Sequence, residues 1–186
     1  MTTTSIIISG FGGQGTQFAG QVLAYAALEH GKEVTWIPSY GPEMRGGTAR
    51  CTVIISDEEI GSPLVRRPDV VIAMNLPSLD KYEPLIKENG YMIANQSLID
   101  RDFEREGTNS IFIPAQELAE ELGNARLSNM IMIGALLELT HVIPPDVVKK
   151  ALEDHIAERH KKTIPLNYKA MDKGASFARE AMAEKA

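Results

Sequence analysis

The sequence predicts an α/β fold in which helices cover both faces of a mostly parallel sheet. Short β-branched and apolar runs recur up to residue 113, as buried parallel strands require. Stretches with helical apolar spacing separate several of these runs, and the rest of the chain is helical. With 186 residues, 44% of them apolar and 24% charged, the chain is expected to form one globular domain over residues 1–186.

The chain opens with the pattern of a β-α-β unit. Residues 5–9 are β-branched and apolar, which predicts a buried strand. The following helix has its apolar residues on one face and is expected to end near Gly31. Residues 34–37 form the second predicted strand, and residues 38–48 are expected to be a loop.

The remaining elements follow in order. Further strands are predicted at residues 49–56, 69–74, 90–95 and 110–113. Helices are predicted at residues 76–87, 114–122, 129–140, 144–159 and 165–184. The helix at 129–140 is apolar on nearly every face, which indicates burial. The last helix carries a narrow apolar stripe, expected to pack on the sheet or to meet a partner: Tyr168, Met171, Ala175, Ala178 and Met182.

Composition excludes several classes of function. Acidic residues outnumber basic ones by 25 to 19, which argues against a nucleic-acid binder. The segment Met1–Ser5 lacks the basic region of a signal peptide, and no stretch reaches the roughly 18 apolar residues of a membrane span. We therefore expect a cytoplasmic protein without membrane contact. The one cysteine, Cys51, cannot complete an iron–sulfur cluster, and the four histidines lack metal-binding spacing, so no metal is expected.

A glycine-rich turn connects the first strand to the first helix. The residues Gly10-Phe11-Gly12-Gly13-Gln14-Gly15 fit the G-x-G-x-x-G pattern of Rossmann-like folds. The first glycine is expected to allow the tight turn, the second a close approach, and the third the packing of helix on strand. The free amides at the helix start can bind an anion. Gly10, Gly12, Gly13, Gln14 and Gly15 are therefore predicted binding residues.

The turn alone does not establish dinucleotide binding. An acidic residue should end the second strand and hold the ribose hydroxyls. Here that strand ends near Ser39, and the nearest acids are Glu33 and Glu43. Three interpretations stay open: NAD(P) binding, a strand–helix turn without a ligand, and a turn that faces a cofactor held mainly by another chain.

The loop after the second strand carries the second candidate cluster. Arg45 is flanked by Pro42 and Gly46-Gly47, which constrain the loop, and a guanidinium held this way suits a carboxylate or phosphate. A solvated arginine is the alternative. Glu43 either orients Arg45 or faces water. The predicted binding residues of this cluster, with Asn75 at the exit of the fourth strand, are Tyr40, Glu43, Arg45, Gly46, Gly47 and Asn75.

These motifs together resemble the γ subunit of 2-oxoacid:ferredoxin oxidoreductases, the pyruvate/ketoisovalerate oxidoreductase γ-domain family. The resemblance rests on residues 10–15, Ala19-Gly20, 40–47 and 69–75, and on Asn129 followed by Gly134-Ala135. It implies a complex of α, β, γ and δ subunits that oxidatively decarboxylates a 2-oxoacid to acyl-CoA. Thiamine diphosphate with Mg²⁺ lies mainly between α and β in this family. [4Fe–4S] clusters in the δ chain and often in the β chain pass electrons to ferredoxin.

The resemblance also implies a limited role for this chain. It is expected to be inactive alone, to contribute no catalytic residue, and to use its two loops to close the active site or hold coenzyme A. In this hypothesis the amides of residues 12–15 and Arg45 meet a CoA phosphate or the substrate carboxylate. Pyruvate, 2-oxoglutarate and branched-chain oxoacids all remain open as substrates, and an isolated γ chain can self-associate.

Three alternatives to this role remain open. The smaller subunit of indolepyruvate oxidoreductase carries a similar domain. A stand-alone NAD(P)-dependent reductase is a second alternative, disfavoured by the missing ribose acid. A purely structural subunit, whose glycines serve packing, is the third.

Overall fold

A computed structural model describes residues 3–41 and 47–185, which form a six-stranded sheet with helices on both faces. The strands are β1 (Thr3–Phe11), β2 (Glu33–Tyr40), β3 (Thr48–Ser56), β4 (Val70–Ala73), β5 (Tyr91–Asn95) and β6 (Asn109–Ile113). The helices are α1 (Thr16–Glu29), α2 (Leu76–Tyr82), α3 (Ala115–Glu121), α4 (Ser128–Thr140), α5 (Pro145–His155) and α6 (Ile164–Lys185). The predicted α/β class is confirmed.

The sheet is mixed because one strand runs against the others. In the order β2-β3-β1-β4-β5-β6, β1, β4, β5 and β6 pair in parallel, whereas β3 pairs antiparallel with both β1 and β2. β2 therefore runs parallel to β1, as the predicted β-α-β opening requires. The two strands are not neighbours, however, because β3 lies between them. The β2–β3 ladder reaches Tyr40 and Ala49. Residues 38–40 therefore belong to β2, and the loop is shorter than the predicted 38–48. Pro38 is tolerated because β2 is an edge strand.

Helices cover the two faces of the sheet to different extents. Alternation along β1 sends Ile6 and Ile8 to one face and Ile7 to the other. The first face packs under α1 and α3–α6 and forms the larger core. On the second face, Leu79 and Tyr82 of α2 cover Ile7 and its neighbours on β4 and β5. Helices therefore lie on both faces, as predicted.

The C-terminal helices form a closely packed pair. Residues 128–137 of α4 are all buried, as its sequence predicts. Helix α6 packs chiefly on α4 and much less on the sheet, which corrects the expectation for its stripe, and Met182 at the end of the stripe is 44% exposed. The reason lies at two glycines: a Cβ on Gly134 would lie 2.6 Å from the Met171 carbonyl carbon, and one on Gly174 would lie 2.7 Å from that of Ile131. Glycine lets the two backbones approach closely.

Two predicted helices end early. The second ends at Tyr82 and continues as a 3₁₀ turn, Glu83–Leu85, because Pro84 cannot donate a helical hydrogen bond. The fifth ends at His155 and precedes a second 3₁₀ segment, Glu158–Thr163. In the part of the chain that the structure describes, no helix combines the length and apolar character needed to cross a membrane.

Candidate functional site

The individual glycines of the turn have roles that differ from those predicted. Gly13 and Gly15 have φ of 99° and 74°, so these two glycines make the turn. Gly10 instead continues β1, where a Cβ would lie 2.8 Å from the Cβ of Met74. The first glycine therefore provides the close approach between strands, and the prediction that it makes the tight turn was wrong.

Side-chain hydrogen bonds of Gln14 connect the turn to the end of β4. Its side-chain oxygen accepts hydrogen bonds from the Phe11 amide at 2.6 Å and from Asn75 Nδ2 at 3.3 Å. Its Nε2 donates to the Met74 carbonyl oxygen at 3.2 Å. Asn75 is 2% exposed, and its Oδ1 caps α2 by accepting from the Ser78 amide at 3.0 Å. Two of the predicted site residues, Gln14 and Asn75, thus hold the turn in place.

The second loop meets the glycine turn directly. The Gly12 amide donates to the Gly47 carbonyl oxygen at 3.0 Å. Tyr40, at the end of β2, is 70% exposed, so its ring is accessible from solvent. The two predicted clusters therefore share one edge of the sheet, as expected. The other predicted residues of this loop, Glu43, Arg45 and Gly46, lie outside the described residues.

A pocket of about 330 Å³ opens beside the turn. Three chain segments line it: Gly13, Gly15 and Phe18 from the turn and α1; Asn124, Arg126, Leu127 and Asn129 before and at the start of α4; and Ile156, His160, Thr163 and Asn167 before and in α6. Of the predicted binding residues that the structure describes, only Gly13 and Gly15 line this pocket. The others lie in the turn behind it, in the second loop, or at Asn75.

The pocket offers hydrogen-bond donors and positive charge. The amides of residues 16–18, at the start of α1, reach no acceptor within residues 3–41 and 47–185. Arg126 is exposed and forms no ion pair within those same ranges. Asn129, 6% exposed, donates from Nδ2 to the Gly15 carbonyl oxygen at 3.2 Å, which ties α4 to the turn. A helix start beside an arginine suits an anionic group.

Sequence reasoning did not assign Arg126, His160 or Asn167 to this site. They lie far along the chain from the glycine turn, and only the fold brings them to it. One local signal was present: Asn124 stands two residues before Arg126, and its Oδ1 accepts from the Arg126 amide at 3.1 Å. A capping residue followed by a cation, just ahead of a buried helix, marks a polar helix start at the pocket.

Comparison with known proteins agrees with this architecture. The family model for "Pyruvate ferredoxin/flavodoxin oxidoreductase" matches residues 5–177. The chain belongs to this family. Its similarity to ketoisovalerate oxidoreductase subunit VorA from Methanothermobacter marburgensis is 38% identity over 93% of the chain, but the match spans only 36% of that relative.

Two solved structures of the family have the same fold. The γ subunit of a keto/oxoacid ferredoxin oxidoreductase from Geobacter sulfurreducens matches with a TM-score of 0.80 and 30% identity, over 95% of this chain and 99% of that one. A 2-oxoglutarate:ferredoxin oxidoreductase from Magnetococcus marinus, with 2-oxoglutarate, coenzyme A and succinyl-CoA bound, gives a TM-score of 0.87 and 27% identity. That match covers 97% of this chain and 32% of the longer one.

The geometry of this family member also bears on the dinucleotide alternative. In a dinucleotide-binding fold the strand beside β1 runs parallel to it and ends in the acid that holds the ribose. Here β3 occupies that place, runs antiparallel, and starts at this edge with Thr48. The neighbouring described residues, 47–51, include no acid. The strand arrangement therefore disfavours NAD(P).

Neither a reactive thiol nor a cluster of metal ligands is found among the described residues of the site. Burial raises the pKa of the Cys51 thiol to about 12, and its Sγ donates to the Thr16 carbonyl oxygen at 3.2 Å. A thiol in this state is not a nucleophile at neutral pH. Among the residues that the structure describes, no three His, Cys, Asp or Glu side chains come together as metal ligands.

Proposed function

We propose that this chain is the γ-type component of a multi-subunit 2-oxoacid:ferredoxin oxidoreductase, which converts a 2-oxoacid to acyl-CoA and passes the electrons to ferredoxin. The observation that carries the proposal is the family match over residues 5–177. The match to a γ subunit, over 99% of that chain, supports the assignment to the γ-type component.

The cofactors of the reaction belong to the partner chains in this proposal. These 186 residues contain one cysteine, and a [4Fe–4S] cluster needs four thiolates. The clusters are therefore assigned to the δ and β subunits, and thiamine diphosphate with Mg²⁺ to the contact between α and β. The chain is inactive alone because it contributes binding groups rather than the reacting ones.

The pocket beside the glycine turn is the proposed binding site for part of coenzyme A. The amides of residues 16–18 and the Arg126 guanidinium are placed to take a phosphate. Phe18 and Ile156 provide apolar walls next to these donors, a combination that fits a phosphate joined to a less polar body better than a free carboxylate. Arg45, from the second loop, is also proposed to meet the anion, with Glu43 either orienting it or facing water. The Magnetococcus structure supports coenzyme A as the ligand class.

Anaerobic purification of the tagged chain from its native host tests the proposal. We expect stoichiometric partner subunits that contain iron, sulfide and thiamine diphosphate, identified by mass spectrometry and metal analysis. A panel of 2-oxoacids with coenzyme A and a viologen dye then identifies the substrate. One large cluster-bearing partner with indolepyruvate activity would replace the proposal by the indolepyruvate alternative. Recovery of the chain alone, without iron, would contradict both.

A further inference from the structure

A second, unassigned groove lies on the less covered face of the sheet. It has a volume of about 380 Å³ and crosses β1, β2 and β3 between the segment around Leu64 and α2. Three large apolar side chains along it are exposed: Leu64 by 78%, Leu85 by 40% and Ile37 by 39%. Exposed apolar side chains gathered in one groove are typical of a surface that another molecule covers.

The charged side chains of this groove all have the same sign. Arg50, Arg66 and Lys81 line it, and no acidic residue among the described ones does. Within residues 3–41 and 47–185 none of the three forms an ion pair. Arg50 Nη1 donates instead to the Tyr82 hydroxyl at 3.0 Å, which fixes the guanidinium. Three unpaired cations stand out in a chain with a net charge of −6.

We propose that this groove docks an acidic segment of the catalytic partner subunit, whose apolar side chains cover Leu64, Leu85 and Ile37 while its carboxylates meet the three cations. Charge complementarity selects this occupant, because like-charged partners are repelled and apolar contact alone leaves the cations unpaired. The groove approaches the edge of the sheet that carries the glycine turn, since Arg50 pairs with Ser9, immediately before that turn. A partner docked here reaches the same edge of the sheet.

The inference rests on the proposed function and adds the surface that holds the complex together. The match spans 99% of the Geobacter γ chain but only 36% of VorA and 32% of the Magnetococcus chain. Relatives thus occur both as free-standing chains and joined to a longer polypeptide.

The affinity between this chain and the partner assembly recovered in the purification tests the inference. We expect the Arg66→Glu/Lys81→Glu double variant to weaken binding roughly ten-fold or more, and the affinity of the unchanged chain to fall with added salt. Leu64→Asp is also expected to weaken binding, because it removes apolar contact and adds a charge that an acidic partner repels. Lys169→Glu on exposed α6 and Leu28→Asp on α1, where Leu28 is 61% exposed, are the matched controls and should bind normally.

Each other outcome contradicts the inference in a distinguishable way. Normal assembly of both groove variants, with thermal unfolding unchanged, would overturn the docking surface and leave the proposed function intact. Intact assembly with a raised KM for coenzyme A would make the groove a ligand site. Self-association of the free chain that the groove variants abolish would assign it to a second copy. Failure of the unchanged chain to bind any oxidoreductase subunit would overturn both proposals.

Discussion

Replacing Gly134 with alanine is expected to destabilise the chain strongly, although it adds only one methyl group. The new Cβ would lie 2.6 Å from the carbonyl carbon and 2.8 Å from the Cα of Met171, so α4 and α6 must separate. Overpacking typically costs about 1–3 kcal/mol, and contact with backbone places this site at the upper end, whereas the higher helix propensity of alanine returns only about 1 kcal/mol. The net loss of about 2 kcal/mol predicts a fall in Tm of roughly 4–8 °C.

Thermal unfolding of the purified chain measures this effect, and Gly61→Ala is the matched control. Position 61 has no heavy atom within 4 Å of an added Cβ and no positive φ, so its Tm should change by little. Equal Tm values for the two variants would show that close contact between α4 and α6 does not contribute to stability.

Two substitutions of Gln14 are expected to separate anion binding from simple packing. Gln14→Glu keeps the oxygen that accepts from Phe11 and Asn75 but loses the donor to the Met74 carbonyl, whereas Gln14→Ala loses all three side-chain bonds. Glutamate, however, places a negative charge beside the start of α1, where the anion is proposed to bind. We expect kcat/KM for coenzyme A in the assembled enzyme to fall about ten-fold or more in Gln14→Glu, which is roughly 1.4 kcal/mol. The fall in Gln14→Ala should be smaller.

The opposite order would indicate a turn that only packs. In that case Gln14→Ala is the more damaging change, because it leaves the Phe11 amide and Asn75 Nδ2 without the acceptor that glutamate retains. Thermal unfolding of both variants shows whether a kinetic change follows loss of structure. Unchanged kinetics in both would remove the turn from coenzyme A binding.

The strands and the glycine turn could be predicted because their causes are local. A β-branched run followed by Gly10–Gly15 has few alternatives to a strand, a turn and a helix start. The position of β3 could not be predicted in this way, since its own residues fit a parallel or an antiparallel neighbour. Only the pairing with β2 from Glu33 to Tyr40 places it beside β1 with reversed direction.

The same distinction applies to the site. The two loops were predicted to share an edge because they follow β1 and β2, and the bond from Gly12 to Gly47 shows that they do. The pocket wall was missed because Arg126, His160 and Asn167 reach it through the packing of α4 and α6, which local periodicity does not specify. The glycines that decide this packing, Gly134 and Gly174, are single residues in long helices, where a glycine alone has no unique meaning.

The most direct test of coenzyme A binding at this pocket is the KM for coenzyme A of the reconstituted complex that carries Arg126→Ala. A charge-assisted bond to a phosphate is worth about 1.5–3 kcal/mol, so we expect KM to rise roughly ten-fold to a hundred-fold while the KM for the 2-oxoacid stays unchanged. Arg45→Ala is expected to act in the same direction. Arg67→Ala, at the opposite edge of the sheet, is the control. A KM for coenzyme A that is equal in the Arg126 and Arg67 variants would contradict the assignment of this pocket to coenzyme A.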